Sequence, residues 1–351
     1  MKLSINPSAK RAPYYIVAPP YTRFSAGVRC LHLLCHWLNR RGERAYIVLS
    51  SIGMGPTTNF DLLTPLLTPE IIEYHYKNGI SPVVVYPEVI TGNPLKADCV
   101  ARWVLNFPGL LGGDKTYDKN EIVFGYSKTL AEAVGPDVPI LHLPMVNDDI
   151  FKPDVAKRIR KGAAVYIGKY QILHGGKIYG VPADAIKITG RKKTSQTQEE
   201  LAEIFRSVES FYVFENTALA MEAVLCGCPV ICMPNQWFEK PISLNEFGMD
   251  GIAWGDSPDE VERARTSVDK GRDNYKKLAD SFFYQLEEFI KLSQEKSAAY
   301  PYNEKTKKNF MAYTHGGSLR RIFRILKEEL HQKILCYRSI YAFYLKVKKI
   351  F

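Results

Sequence analysis

Two glutamates around a polar turn form the stretch of this 351-residue chain with the most chemical content. Phe211–Phe214 reads as a strand, Glu215-Asn216-Thr217 as a turn, and Ala218–Cys226 as a helix of small residues that Gly227 and Pro229 bring to an end. Such a turn leaves backbone N–H groups without partners at a helix start, where a diphosphate is well received. Thr217 is placed to cap that helix and to lend a hydroxyl. Glu222 stands about a turn and a half into it. Its two acceptor-only oxygens suit a pair of neighbouring hydroxyls, such as those of a ribose. The bland alternative is an ordinary capped helix with a surface glutamate.

A departing diphosphate accumulates negative charge, and a fold without a metal neutralises it with cations and helix dipoles. Lys169, at the end of the strand Ala163–Ile167, and Arg191 and Lys192, after the strand Ala185–Thr189, are placed for that task. Arg191 has the planar fork that grips two phosphate oxygens; the alternative for Arg191–Lys193 is a solvated charge cluster. In the amino-terminal half, Gly27 follows Phe24-Ser25-Ala26 between a strand and a helix, where it lets the backbone approach a phosphate. Ser25 there reads equally as a plain helix cap. Glu88 follows the strand Pro82–Tyr86 and, in an inverting reaction, is a carboxylate able to take the proton of an attacking hydroxyl. The alternative is a loop carboxylate paired with Arg102. Asn106 and Gly109 shape the same wall, and His142 and His174 read as structural.

The elements that must position these groups alternate. The strand Tyr14–Val17, a helix with Val28, Leu31, Leu34, Trp37 and Leu38 on one face and Gly42 at its end, and the strand Ala45–Ser50 open the chain. Pro82–Tyr86 (strand), Leu95–Leu105 (helix), Glu121–Phe124 (strand) and Ser127–Gly135 (helix) follow. The pattern pauses over Leu141–Asp154 and restarts with Ala163–Ile167, Ala185–Thr189, the helix Gln198–Ser207 and the strands and helix around Glu215, ending with Pro229–Met233. Charged helical sequence runs from Pro258 to Glu295, and Lys296–Asn309 reads as a linker. Apolar strands separated by helices argue for parallel sheets covered on both faces, and the length argues for two such units. Ligands of such units bind at the carboxyl ends of the strands. No GxGxxG follows the first strand, which disfavours a dehydrogenase.

Composition narrows the function. With 46% hydrophobic and 24% charged residues the chain is an ordinary globular one. The stretch Met1–Pro13 does not read as a signal peptide, and no apolar run reads as long enough to span a bilayer. Seven scattered cysteines without a CxxC pair fit a reducing compartment; Cys226, Cys228 and Cys232 read as small buried residues rather than metal ligands. The formal charge is +10, but Ser318–Phe351 carries nine Lys/Arg against Glu328 and Glu329, a net +7, leaving +3 for the rest. A nucleic-acid-binding body is therefore not indicated. Leu319, Ile322, Phe323, Leu326, Leu330, Ile334, Tyr337, Tyr341, Tyr344 and Leu345 recur in that tail at helical spacing. A basic amphipathic helix of this kind lies in an anionic membrane interface or packs on protein.

Three stretches resemble glycosyltransferases of the GT-B fold. EIVFGYSKTLAEAVGPDVPILHLPMVNDDIFKPD is similar to the family's passage into its interdomain linker, with Pro144, Val146, Asn147, Asp148, Phe151 and Pro153 at the linker positions. AVYIGK (Ala164–Lys169) is similar to the first strand of the second domain with its Gly-basic end. FYVFENTALAMEAVLCGCPVI resembles the acidic donor motif ending in Glu-Ala-x3-Gly-x-Pro-Val. Six residues separate Glu215 from Glu222 where the family's glutamates have seven between them, so Glu222 maps onto the family position and the stereochemical outcome stays open.

The resemblance implies an α/β protein of GT-B type, two Rossmann-like domains facing across a cleft. Residues 1–154 would form the acceptor domain, 155–297 the nucleotide-sugar-binding domain, and 298–351 a linker and basic amphipathic helical tail. The implied activity is glycosyl transfer from a nucleotide-sugar donor to a lipid-linked saccharide in capsule or lipopolysaccharide O-antigen assembly, without an obligatory metal or other cofactor. The site would consist of Glu88 and Glu215 as catalytic residues, with Gly27, Lys169, Arg191, Lys192, Glu215, Asn216, Thr217 and Glu222 binding the donor. The expected place is the cytoplasm, peripheral to the inner face of the membrane, with other polysaccharide-assembly proteins as partners. A non-catalytic scaffold of such an assembly and a nucleotide-sugar epimerase are the alternatives.

Overall fold

A computed structural model describes residues 11–50, 57–154, 159–189, 195–242 and 244–314. The chain divides into two units: the first comprises residues up to Tyr126, Leu130–Leu141 and the chain from Leu286 onward, the second Ser127–Thr129 and His142–Gln285.

The first unit begins with β1 (Tyr14–Ala18), α1 (Ala26–Arg40), β2 (Ala45–Leu49), α2 (Pro69–Lys77), β3 (Val83–Pro87), β4 (Cys99–Val104) and β5 (Ile122–Gly125). The strands pair in parallel in the order β2-β1-β3-β4-β5. Every residue of β1, β3 and β4 is buried, as a parallel sheet covered on both faces requires. Helix α1 starts where the Ser25 hydroxyl accepts the Val28 N–H and buries Val28, Leu31, Leu34 and Leu38. It stops at Gly42, whose φ of +84° continues no helix.

The helix expected over Leu95–Leu105 is not formed; its Cys99–Val104 is a strand. The Asn93 side chain accepts from Ala97 N–H and donates to Ala97 C=O, holding a turn in which Lys96 takes a φ of +51°. Beyond it the continuous apolar run is buried on both sides as β4, whereas a surface helix would need one polar face.

After α3 (Lys128–Glu132) come β6 (Ala163–Ile167), α4 (Lys169–His174), β7 (Ile186–Thr189), α5 (Gln198–Ser207), β8 (Ser210–Val213), α6 (Leu219–Leu225), β9 (Val230–Cys232), α7 (Leu244–Phe247) and β10 (Ile252–Trp254). They form a second parallel sheet, in the order β10-β9-β8-β6-β7. Its two faces carry separate cores, one around Phe205, Phe211, Val224 and Val230, the other around Tyr170, Phe214, Ile231 and Ala264. Cys226, Cys228 and Cys232 are buried, and burial pushes each thiol up to about 12.

Helix α8 (Pro258–Ser297) runs through the unit boundary. Its last turns belong to the first unit, where Phe289 lies 5.7 Å from the Tyr14 ring and 5.0 Å from Phe124, and Ser293 Oγ is 2.8 Å from the Tyr14 hydroxyl. Within the stretch read as a linker α8 ends and α9 (Glu304–Thr314) begins, with Asn303 Oδ1 accepting Thr306 N–H. Tyr302, Phe310 and Tyr313 complete the core beneath β1 and β3. None of the described helices is long and apolar enough to cross a membrane. The basic tail from Ser318 lies outside the described residues.

Candidate functional site

Both sheets wind outward from their first strand in opposite directions. The first unit continues from β1 to β2 on one side and to β3 on the other; the second does the same with β6, β7 and β8. Between the first and third strands of each unit the chain leaves in opposite directions, and it is at the carboxyl ends of such strands that doubly wound sheets bind ligands. Lys169, Glu215, Asn216 and Thr217 follow the first and third strands of the second unit, and Gly27 and Glu88 follow those of the first.

In the second unit Gly168 and Lys169 follow β6, and Glu215, Asn216 and Thr217 follow β8 after the single residue Phe214. The Glu215 carboxylate crosses from β8 to β6: its Oε2 accepts the Tyr170 N–H at 2.6 Å, in the first turn of α4. A carboxylate is favourable there because that turn's N–H groups have no intrahelical partner. Gly168 makes the approach possible. A Cβ at this position would lie 2.6 Å from Glu215 Oε2 and 2.4 Å from the Tyr166 ring. Tyr170 is anchored from below by stacking on Phe214, ring centroids 5.3 Å apart at 5°.

The remaining turn residues have local partners. Asn216 accepts the Ile242 N–H at 3.0 Å and donates to Lys240 C=O at 3.3 Å, so its amide pins the loop beyond β9. Thr217 is not the cap. Ala218 holds that position with no side-chain bond, and the Thr217 hydroxyl, one residue ahead of it, accepts the Leu219 N–H at 3.3 Å. Ala220 N–H goes to Thr217 C=O. The expected set of partnerless N–H groups is therefore reduced, since two of them are satisfied within the turn.

Glu222 lies on the inner side of α6 and is 2% exposed, where a surface position was the alternative reading. Small neighbours, Ala220 and Ala223, bring the helix close enough to the sheet to bury it. A ligand reaches this carboxylate only when a neighbouring group moves. Arg191 and Lys192 lie outside the described residues. His174 stacks on Trp237, 4.5 Å between centroids, and burial together with the Lys169 charge lowers its pKa. His142 is buried, with its N–H donated to Gln285 Oε1 at 2.7 Å.

In the first unit Gly27 is the second residue of α1, after β1, and Glu88 directly follows β3. A Cβ on Gly27 would meet Leu105 Cδ1 at an ordinary 3.8 Å, so neither close approach nor an unusual backbone requires glycine there. Glu88 is 4% exposed and accepts the Leu105 N–H at 2.9 Å, at the carboxyl end of β4.

Arg102 serves a different carboxylate. Glu121 takes its Nε and Nη2 at 2.8 and 2.9 Å, and the remaining donors go to the carbonyls of Pro87 (3.5 Å), Ile90 (2.7 Å) and Gly92 (2.9 Å). All five guanidinium donors are thus taken up without Glu88. The guanidinium is sandwiched by Tyr86 and Tyr117, 5.1 and 5.2 Å from the ring centroids. The Tyr117 hydroxyl is buried with no hydrogen-bond partner among the described residues. Burial, and after it the charge of Glu88, pushes that phenol up to about 12.

Gly113, at φ +77°, lies against the Glu88 carbonyl; a Cβ there would fall 1.9 Å from that oxygen. Sequence reasoning saw Arg102 only as an alternative partner for Glu88 and passed over Tyr117. The available signal was a lone arginine inside the apolar run Cys99–Val104, since a buried charge must be paired. Among the described residues no group of three or more His, Cys, Asp and Glu is arranged to hold a metal ion.

Two successive parallel five-stranded units of this winding are an α/β fold of the GT-B class. The solved structures it is similar to include WaaG, a glycosyltransferase involved in lipopolysaccharide biosynthesis, at 10% identity over 80% of this chain and 99% of that one, TM-score 0.46. A glycosyltransferase from Rickettsia africae matches at 11% identity over 88% and 100%, TM-score 0.43. HepE of Anabaena, solved in complex with UDP, matches at 8% identity over 82% and 99%, TM-score 0.43. No protein-family model matches the chain, and no curated protein sequence does. Overlays this loose carry no argument about activity; the fold class rests on the strand orders.

Proposed function

We propose that this chain is a glycosyltransferase that takes a sugar from a nucleotide-sugar donor held by the second unit and passes it to a hydroxyl of a saccharide acceptor. One observation carries the reading: Lys169, Glu215, Asn216 and Thr217, selected for residue type, fall at the β6/β8 switch point, and Gly27 and Glu88 fall at the equivalent β1/β3 position. That is where doubly wound sheets bind ligands.

In this reading the donor diphosphate lies against Lys169 and the backbone of the Glu215–Thr217 turn. Arg191 and Lys192 add cationic charge, and no metal is obligatory. Glu222 meets the ribose hydroxyls once its cover opens, and Glu215 faces the donor sugar. For an inverting reaction, Glu88 takes the proton of the acceptor hydroxyl as the acceptor oxygen bonds to the anomeric carbon. The bond from that carbon to the phosphate oxygen breaks, and its electron pair leaves with the nucleoside diphosphate.

The finer proposal is a lipid-linked acceptor in surface polysaccharide assembly, with the basic tail holding the enzyme at the cytoplasmic face of an anionic membrane. A scaffold subunit would bind no nucleotide, and an epimerase would need no acceptor. Titration of the full chain with UDP, GDP, dTDP and CMP, followed by thermal unfolding, tests the donor site. A nucleotide at a hundred times its Kd stabilises by about 2.7 kcal/mol. If none of the four raises the unfolding temperature, the transferase reading falls. A donor screen against a lipid-linked acceptor, with the product anomer read by NMR, then separates transfer from epimerisation.

A further inference from the structure

We propose that Arg102 is the positioning residue of the acceptor-side site, acting on the reaction only through Glu88, whose backbone it holds on both sides. The inference rests on the reading of Glu88 as the base.

Arg102 sits on β4, and three of its contacts reach the end of β3 and the loop that follows: the carbonyls of Pro87, Ile90 and Gly92, which bracket Glu88 in sequence. The Glu88 side chain is held from the same strand, by the Leu105 N–H just past its end. Both the backbone and the carboxylate of Glu88 are therefore referenced to β4. A third restraint is Gly113, packed on the Glu88 carbonyl, in a loop tied back by Asp114 Oδ2 accepting the Gly92 N–H at 2.6 Å.

Glu121 makes this arrangement usable for chemistry. The Arg102 and Glu121 side chains are 0% and 9% exposed and meet in a two-bond fork. The arginine charge is thereby compensated at its own site, and the guanidinium works as a hydrogen-bond clamp instead of a counter-ion that would strip the base of its proton affinity. The groups facing this region are Arg102 from β4, Glu121 ahead of β5, Tyr117 and Asp114 from the loop between them, Tyr86 from β3 and Cys30 from α1.

Three variants of the full chain test the clamp: Arg102→Lys, Glu121→Gln and Gly113→Ala, beside Glu88→Gln as reference. The first measurement needs no substrate. Hydrogen exchange is followed by mass spectrometry on the peptide containing Leu105. Arg102→Lys should speed exchange of that amide about tenfold although Arg102 makes no hydrogen bond to it, whereas Glu88→Gln keeps an amide oxygen as its acceptor and should change it little. The second measurement is release of nucleoside diphosphate from UDP-, GDP- and dTDP-sugars across pH.

Arg102→Lys and Gly113→Ala should lower kcat by about 10- to 100-fold while the thermal shift caused by the nucleotide is kept. Glu121→Gln leaves the arginine charge uncompensated near Glu88, so its acid limb should move to lower pH. Unchanged Leu105 exchange in folded Arg102→Lys, or an unshifted acid limb in Glu121→Gln, overturns the proposal while leaving the donor reading standing. Should Arg102→Lys fail to fold, Glu121→Gln and Gly113→Ala decide alone. Absence of any nucleotide-induced shift in the unmodified chain instead removes the reading on which the proposal rests.

Discussion

Glu215 Oε2 accepts the backbone N–H of Tyr170 at 2.6 Å, joining the loop after β8 to the loop after β6 across the switch point of the second sheet. The bond fixes the height of the Glu215–Thr217 turn relative to Lys169. It depends on the missing side chain of Gly168.

Gly168→Ala forces a methyl to within 2.6 Å of Glu215, so either the carboxylate or the start of α4 shifts. Overpacking of this kind costs about 1–3 kcal/mol. The expected result is a lower unfolding temperature together with at least tenfold weaker nucleotide binding by calorimetry. Glu215→Gln keeps an acceptor for Tyr170 and should fold as well as the parent, so activity lost in that variant reports the charge alone. Wild-type nucleotide affinity in Gly168→Ala would show that this junction plays no part in binding.

Glu222→Gln preserves volume and removes one acceptor oxygen at a buried position. The unliganded chain should unfold within a few degrees of the parent, and the nucleotide-induced shift should disappear. A shift of normal size would take Glu222 out of the donor site and leave it a structural residue of α6.

His75 gives the first unit an acid limit to its stability. Its Nδ1 lies 2.8 Å from the Tyr15 hydroxyl, and burial pushes its pKa down to about 4. The unfolded chain binds the proton near the ordinary imidazole value, about 6.5, before the folded one does. Stability is thus complete above pH 6.5 and falls as the pH drops toward 4, by up to about 1.4 kcal/mol per unit. Denaturant midpoints measured over that window should decline in the parent and decline less steeply in His75→Gln. Parallel curves would refute the assignment.

Deletion of Ser318–Phe351 removes a net +7 charge and the apolar helical repeat with it. Sedimentation with vesicles containing phosphatidylserine should show the full chain bound and the truncated one free, with binding of the full chain weakening as salt rises. Equal sedimentation of both would assign the tail to protein contacts instead.

The sequence alone determined strands such as β1 and β3, because the runs Tyr14–Ala18 and Val83–Pro87 are apolar at every position and only a doubly covered parallel sheet buries them all. It also placed the candidate residues just past such runs, Glu215 and Glu88 immediately beyond Phe214 and Pro87 and Lys169 one residue further, after Gly168.

Tertiary structure decided the rest. An apolar stretch like Leu95–Leu105 has no face to show, and its Cys99–Val104 became β4 only because a neighbour on each side offered hydrogen bonds. The point in α8 at which the chain returns to the first unit carries no local mark. Partner choice is likewise a matter of distance in space. Glu121, nineteen residues from Arg102, took the guanidinium, and Glu88 was left to a backbone N–H, because burial of a charge is decided by whichever partner the fold brings within hydrogen-bond reach.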